Sequence, residues 1–162
     1  MNRKGTREGY LSLLKKLREK IPDIAVRSTF ISGFPTETEE DFLQSMAIVK
    51  EAGFSQIHAF PYSPREGTNA YKRYKELPAS VKKERVERLI AKGAQEKEKY
   101  MRRFIGQTLE IVPENCFDGI TEGYSENYIR VYVEGDIGKD PTQVRVERLF
   151  KDGVLASCLT KS

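Results

Sequence analysis

Tryptophan is absent from this sequence of 162 residues, and there are only one histidine and two cysteines. Cys116 and Cys158 stand 42 positions apart and neither lies in a CxxC pair, so the spacing of a thiolate metal site is missing. Two such isolated cysteines read as reduced thiols in the core of a cytoplasmic protein. No run of about 18 apolar residues occurs, so no segment reads as a membrane-spanning helix. The basic start, Met1 to Lys4, leads into an amphipathic pattern rather than a continuous apolar one, which argues against a signal peptide. Internal repeats and low-complexity tracts are also lacking.

What is present is a foldable mixture, 38% hydrophobic and 32% charged, with a net charge of +4. The charge is unevenly spread. Between Ser80 and Phe104 nine Lys/Arg face four Glu, an excess of +5 that exceeds the whole chain's. Such a segment suits a polyanion partner or, equally, a solvated helix laced with i,i+4 pairs.

The first part alternates helix and strand. Arg7 to Lys20 has helical spacing, with Thr6 as N-cap and Pro22 as stop. A short strand follows over Ile24 to Ile31. After Gly33-Phe34-Pro35, Thr36 and Glu39 have capping-box spacing for a second helix that Gly53 would close. Phe54 to Phe60 reads as a second strand, long enough after the first for a parallel crossover. Pro61 to Pro78 reads as irregular, and Ser80 to Phe104 as a long helix that Gly93 weakens by about 1 kcal/mol. From Gly106 the period becomes two. Strands are expected over Leu109–Val112, Gly119–Tyr124, Asn127–Val133, Val144–Phe150 and Val154–Leu159, with turns at Pro113–Asn115, Ser125-Glu126, Gly135–Pro141 and Asp152-Gly153. Five short strands in so few residues point to a small barrel of the oligonucleotide-binding kind. The domains are therefore expected to be 1–104, part of an α/β sheet with a long linking helix, and 105–162, all β.

Several segments carry a family resemblance. Arg27 to Phe42, RSTFISGFPTETEEDF, resembles the GFPGETEEDF signature of radical-S-adenosylmethionine methylthiotransferases, with Thr36 where the commonest form has Gly. Ile57 to Ala70, IHAFPYSPREGTNA, resembles the same family's HxFPYSPRxGTxA segment. Asn2 to Glu8 is similar to its NRKYTxE segment, with Gly5 replacing an aromatic. Thr121 to Val131, TEGYSENYIRV, resembles the TRAM domain of the threonylcarbamoyladenosine branch. The resemblance implies the C-terminal part of a radical-SAM (β/α) barrel followed by a TRAM barrel. It implies an enzyme in which a 4Fe–4S cluster on a CxxxCxxC motif cleaves S-adenosylmethionine and a methylthio group enters an adenosine of tRNA. None of those cysteines is in this sequence, and cluster ligation needs thiolates. The chain is therefore expected to be inactive alone, with tRNA (its anticodon arm) and the missing N-terminal half of the same enzyme as partners, in the cytoplasm.

No residue of the chain is expected to be catalytic or to hold a metal. Gly33 and Pro35 end a strand and enter a helix N-terminus, where open α/β scaffolds bind ligands. Phe60 and Tyr62 follow the next strand as candidate walls for an adenine ring, and Arg27 is a candidate partner for the cofactor's carboxylate. His58 is read as structural or facing a barrel lumen. Glu37, Glu39 and Glu40 are read as acids of a helix first turn. In the barrel, alternation places Tyr128, Arg130 and Tyr132 on one solvent face, suited to stacking unpaired bases and holding phosphate, with Arg145 on a neighbouring strand to extend it. Two rival readings stand beside this one: a ribosomal-protein methylthiotransferase, and a TRAM module that binds RNA without catalysis.

Overall fold

The computed structural model describes residues 5–159, so the Asn2 to Lys4 part of the amino-terminal motif lies outside the described residues. Residues up to Lys97 form one compact unit and those from Glu98 a second. The division falls inside a long helix, whose buried Tyr100 and Met101, with Phe104 just beyond, belong to the second unit.

In the first unit, α1 (Arg7–Lys20) is N-capped by Thr6, whose hydroxyl accepts from Gly9 N. Strand β1 (Arg27–Ser32) and strand β2 (Gln56–Pro61) pair in parallel, Thr29 opposite His58 and Ile31 opposite Phe60. The connecting helix α2 (Glu39–Ala52) ends on Gly53 in the left-handed region, φ 55°. Arg18 of α1 donates to the carbonyls of Ala52, the last α2 residue, and of its cap Gly53. One sheet face, carrying Phe30, Ile57 and Ala59, packs on Phe42, Val49 and Leu89, which are fully buried. The other, with Thr29, Ile31, His58 and Phe60, is mostly exposed, with Ile31 and Phe60 about half so.

Two local expectations change. Within the segment read as irregular, Asn69–Arg73 forms a short helix α3, because the Thr68 hydroxyl accepts from Tyr71 N and so caps it. The helix after β1 begins at Glu39, so Thr36 is not its N-cap. Thr38 is its N-cap and Asp41 closes the capping box, with Thr38 Oγ1 accepting from Asp41 N at 3.1 Å and the Asp41 carboxylate accepting from Thr38 N at 3.0 Å.

The long helix α4 (Ala79–Arg102) lies on the sheet through Gly93. A Cβ there would meet Ile57 Cγ1 at 2.3 Å. Gly93→Ala should therefore lose roughly 1 kcal/mol despite alanine's helical advantage of similar size, since overpacking costs about 1–3 kcal/mol. A higher melting temperature for the variant would contradict this packing.

The second unit is a closed barrel, strand order β3-β4-β5-β7-β6. Its strands are β3 (Thr108–Phe117), β4 (Ile120–Ser125), β5 (Arg130–Glu134), β6 (Thr142–Phe150) and β7 (Gly153–Cys158). β5 and β7 are parallel and the other pairs antiparallel. The expected turn at Pro113–Asn115 is instead a register shift within continuous β3, a bulge being one of the few strand sites that accepts proline. Beyond it the inward–outward alternation stops, so Cys116 is exposed, as is Cys158 at the end of β7. The thiols are thus not core residues. Buried Leu109, Ile111, Val131, Val133, Val144, Val146 and Val154 fill the barrel.

Candidate ligand cleft and barrel surface

Parallel strands leave their carboxyl ends open above the sheet, and here both strand exits are aromatic. A cleft of about 880 Å³ opens there, lined by Thr29 and Ile31 of β1, Phe34 and Thr36 of its exit, Phe60 of β2 and Tyr62 of its exit, and Arg65, Asn69 and Tyr74 beyond. Phe34 meets Tyr62 edge-on at 5.1 Å and Tyr74 at 6.4 Å between ring centroids. Phe60 and Tyr62, proposed from sequence as cofactor walls, stand in this cleft. Gly33 and Pro35 do not line it; they shape the turn that aims Phe34. Gly33 has φ 82°, and a Cβ would meet Lys82 Cγ at 2.5 Å. Arg27 lies on the same sheet face but outside the cleft, its Nη2 3.4 Å from His58 Nε2. Period-two alternation alone would have found Thr29 and Ile31; Tyr74 carried no local signal.

The turn is fastened from a distance. Glu37 precedes α2 and is not a first-turn acid. Its carboxylate accepts from Ser32 Oγ at 3.0 Å, from Gly33 N at 3.0 Å and from Arg85 Nη1 at 2.7 Å. Glu39 is in the first turn. Its pKa is lowered, chiefly by the hydrogen bond from Arg88 and then by Arg85, against some desolvation. Asp41 is lowered too, by the Thr38 backbone and hydroxyl. The capping contribution is thus complete above Asp41's ordinary value near pH 4 and falls away as the pH drops through its lower folded value. Thr38→Ala should cost about 1 kcal/mol at neutral pH and less in acid. An undiminished cost at pH 2 in urea titrations would refute the linkage.

The barrel surface differs from the sequence expectation. Tyr128 is 70% exposed but sits at φ 59° in the turn before β5, not on the strand. Tyr132 is only 2% exposed: the Phe150 ring covers it at 5.3 Å, and its hydroxyl donates to Asp152 at 2.5 Å. Burial and then this carboxylate raise its pKa. Tyr128, Arg130 and Tyr132 therefore do not form one wet face. Arg145 does not extend them, because β7 lies between β5 and β6, and Arg145 pairs opposite Ser157 while Phe150 pairs opposite Gly153. Four residues along β7 are about 13 Å.

A different cluster is assembled. Arg130 donates to the Tyr124 hydroxyl at 2.8 and 3.1 Å, and Lys151 stands 5.0 Å from the Tyr132 ring and 5.4 Å from Phe150. Arg148 lies 5.4 Å from the Phe150 ring. Lys151 holds φ 48°, an unusual backbone for lysine that keeps the ammonium over the rings. Sequence reading missed Arg148, Phe150 and Lys151 because they gather at the β6–β7 turn. Along α4, by contrast, much of the positive excess is engaged: Arg85 and Arg88 bind Glu37 and Glu39, and four i,i+4 pairs join Lys83–Glu87, Glu84–Arg88, Lys92–Glu96 and Glu98–Arg102.

No protein-family model matches the chain. Similar proteins are nevertheless clear. The chain is 41% identical over 140 residues, 83% of its length, to the threonylcarbamoyladenosine tRNA methylthiotransferase MtaB of Bacillus subtilis. It is 40% identical over 84% of its length to a tRNA-2-methylthio-N(6)-dimethylallyladenosine synthase of Ehrlichia chaffeensis, and 36% identical over 91% to that of Thermus thermophilus. The matches cover 31–32% of those relatives, so the chain spans about a third of the length of the proteins it resembles. Over most of its own length, then, this chain belongs to the tRNA methylthiotransferases, as a portion of that family's sequence.

Proposed function

We propose that this chain supplies the adenosyl-binding cleft and the RNA-gripping barrel of a cytoplasmic tRNA 2-methylthiotransferase acting on N6-threonylcarbamoyladenosine beside the anticodon. The observation that carries the reading is the cleft itself. The two segments that resemble the family's motifs, around Gly33 and around Tyr62, meet as its walls. Aromatic edges, apolar Ile31 and the polar groups of Thr29, Thr36 and Asn69 suit a flat nitrogenous ring with a hydrophilic tail, and a volume near 880 Å³ is ample for it. S-adenosylmethionine is the ligand whose chemistry suits this lining; once a cluster held outside these residues delivers an electron to it, it would supply the adenosyl group that abstracts hydrogen. This chain's part is to orient the adenine and exclude water around it. A 4Fe–4S cluster is not served by these residues: two cysteines, both in the barrel unit, fall short of a ligand set. The chain alone is accordingly proposed to be inactive.

The barrel's strand order, with its parallel β5–β7 pair, supports an oligonucleotide-binding barrel of the TRAM kind. Tyr128 would stack an unpaired base. Arg130, Arg148 and Lys151 would meet phosphate over the aromatic floor of Tyr124, Tyr132 and Phe150, while Arg145, displaced along β7 from this cluster, would act separately. Tyr128→Ala should weaken binding to an anticodon stem-loop by roughly 1 kcal/mol or more with an unchanged salt slope, and Lys151→Ala should lower the slope by about one phosphate. Unchanged affinity in both across a salt series would remove the barrel from the RNA interface.

The other relatives named above favour a second base, the dimethylallyl adenosine. A chimera decides: this sequence replaces the matching stretch of the B. subtilis enzyme, in a strain lacking both modifications. Mass spectrometry of its tRNA nucleosides should show the methylthio form of threonylcarbamoyladenosine. Methylthio-dimethylallyladenosine instead would transfer the chain to the second reading, and neither product would count against both.

A further inference from the structure

Arg85 is 6% exposed, on the face of α4 that carries buried Leu89. Its Nη1 donates to the Glu37 carboxylate at 2.7 Å and to the Glu37 carbonyl at 3.0 Å, and Nη2 donates to Glu39 at 3.2 Å. The guanidinium lies 5.3 Å from the centre of the Phe42 ring, and its Nε has no hydrogen-bond partner. As a stability device this is poor. Burying an ion pair costs about as much in desolvation as the attraction returns, and an apolar residue of similar volume is often as good or better. The unpartnered Nε adds to the cost.

What the arrangement achieves is position. Glu37, gripped by Arg85, holds Gly33 N and Ser32 Oγ. The Ser32 carbonyl in turn accepts from Tyr62 N at 2.8 Å. One helical turn before Arg85, Lys82 packs beside Gly33 and its ammonium donates to the Tyr62 carbonyl at 3.3 Å. Both strand exits are thus pinned from the same face of α4, and the two rings they present, Phe34 and Tyr62, are those in edge contact within the cleft.

We propose that Arg85 is a positioning residue for the cleft ligand, acting through Glu37 to fix the Gly33–Pro35 turn and aim Phe34 against the bound adenine. The proposal rests on the adenosyl reading of the cleft. A carboxylate that must hold two donors on the turn needs a partner that saturates it without moving it. A planar fork does this, whereas lysine brings one mobile ammonium.

The test uses Arg85→Gln, Arg85→Lys and, as a milder partner variant, Glu37→Gln in the 162-residue chain. Three quantities are read: melting temperature, amide hydrogen exchange at Gly33, and affinity for S-adenosylmethionine and adenosine by calorimetry. In Arg85→Lys, melting should return close to the parent's. Gly33 exchange should nevertheless stay at least roughly tenfold faster and affinity for both probes roughly tenfold weaker, as expected when a supporting contact loosens a site. Arg85→Gln and Glu37→Gln should share the affinity loss, and the double variant should add little to either. Should Arg85→Gln fail to fold, Arg85→Lys and Glu37→Gln still decide. Parent-like affinity or Gly33 exchange in Arg85→Lys overturns the positioning role while leaving the cleft reading intact. Absence of probe binding by the parent chain overturns the cleft reading and the proposal with it.

Discussion

Replacing Gly153 with alanine should cost the barrel about 3 kcal/mol, among the largest effects of any single methyl in this chain. The reason is space, not backbone freedom. A Cβ at Gly153 would sit 2.1 Å from the Arg130 carbonyl oxygen and 2.8 Å from its carbonyl carbon. A flexible side chain can yield to such an intrusion, but a strand backbone cannot without opening the ladder. The ladder concerned is the parallel one, in which Val131 pairs with Val154 and Tyr132 with Leu155. β7 is also the strand through which β5 reaches β6, so loosening it breaks the ring of the barrel. Overpacking usually costs about 1–3 kcal/mol, and backbone displacement belongs at the upper end. Gly138→Ala is the contrast. Its φ is 78° but nothing lies within 4 Å, so only the left-handed conformation is penalised, by roughly 1 kcal/mol. Urea unfolding followed by tyrosine ellipticity would compare them. Equal losses at the two positions would mean that β5 and β7 are not packed this closely. The consequence for function is local: Arg130, Tyr132 and Lys151 all border this ladder, so the cationic cluster should be lost with it.

What could be read from the sequence was what depends on near neighbours. The parallel strand–helix–strand unit, the Gly53 cap and the number of barrel strands follow from periodicity and turn residues. What could not be read was decided by residues far along the chain. TETEED contains two overlapping capping signatures, Thr36 with Glu39 and Thr38 with Asp41. Local chemistry barely separates them. Arg85, 48 positions beyond Glu37, draws that carboxylate out of the helix and so selects the second. Tyr132 failed for a related reason. Alternation correctly puts it opposite Val131 and Val133, but period two says nothing about what covers the outer face, and there Phe150 and Lys151 close over the ring. Gly93 looked like a defect in a helix until Ile57 was placed against it. The motif residues Phe60 and Tyr62 were legible as cleft walls because they stand at the end of a strand and directly after it. Their companion Tyr74 arrives by a loop and a short helix, beyond the reach of pattern.

Phe42→Ala should be the most damaging substitution in the first unit, at roughly 3–5 kcal/mol. The ring is completely buried and sits in the cluster with Val49 and Leu89, against Phe30, Met46, Ile57 and Ala59. Truncation leaves a cavity between α2, α4 and the sheet, and the stiff side chains of Val49, Ile57 and Phe30 around it have little freedom to collapse into it. A second loss follows. The guanidiniums of Arg85 and Arg88 lie 5.3 and 4.6 Å from the ring centre, so alanine removes the face on which both rest, where each such contact contributes about 0.5–2 kcal/mol. Arg85 would then be a buried charge with its carboxylates but without its floor, and the Glu37 clamp should loosen even in molecules that stay folded. The two units need separate observation, because a single transition is not assured for a chain of two compact parts. Hydrogen exchange resolves them: protection should collapse in α2 and at Gly33 while the barrel amides of β4 and β5 keep theirs. Phe42→Leu, which restores most of the volume but no aromatic face, should recover the α2 protection and leave Gly33 fast. A loss below about 1.5 kcal/mol in Phe42→Ala, or parent-like Gly33 exchange in Phe42→Leu, would show that the ring fills space without supporting the guanidinium that holds the turn.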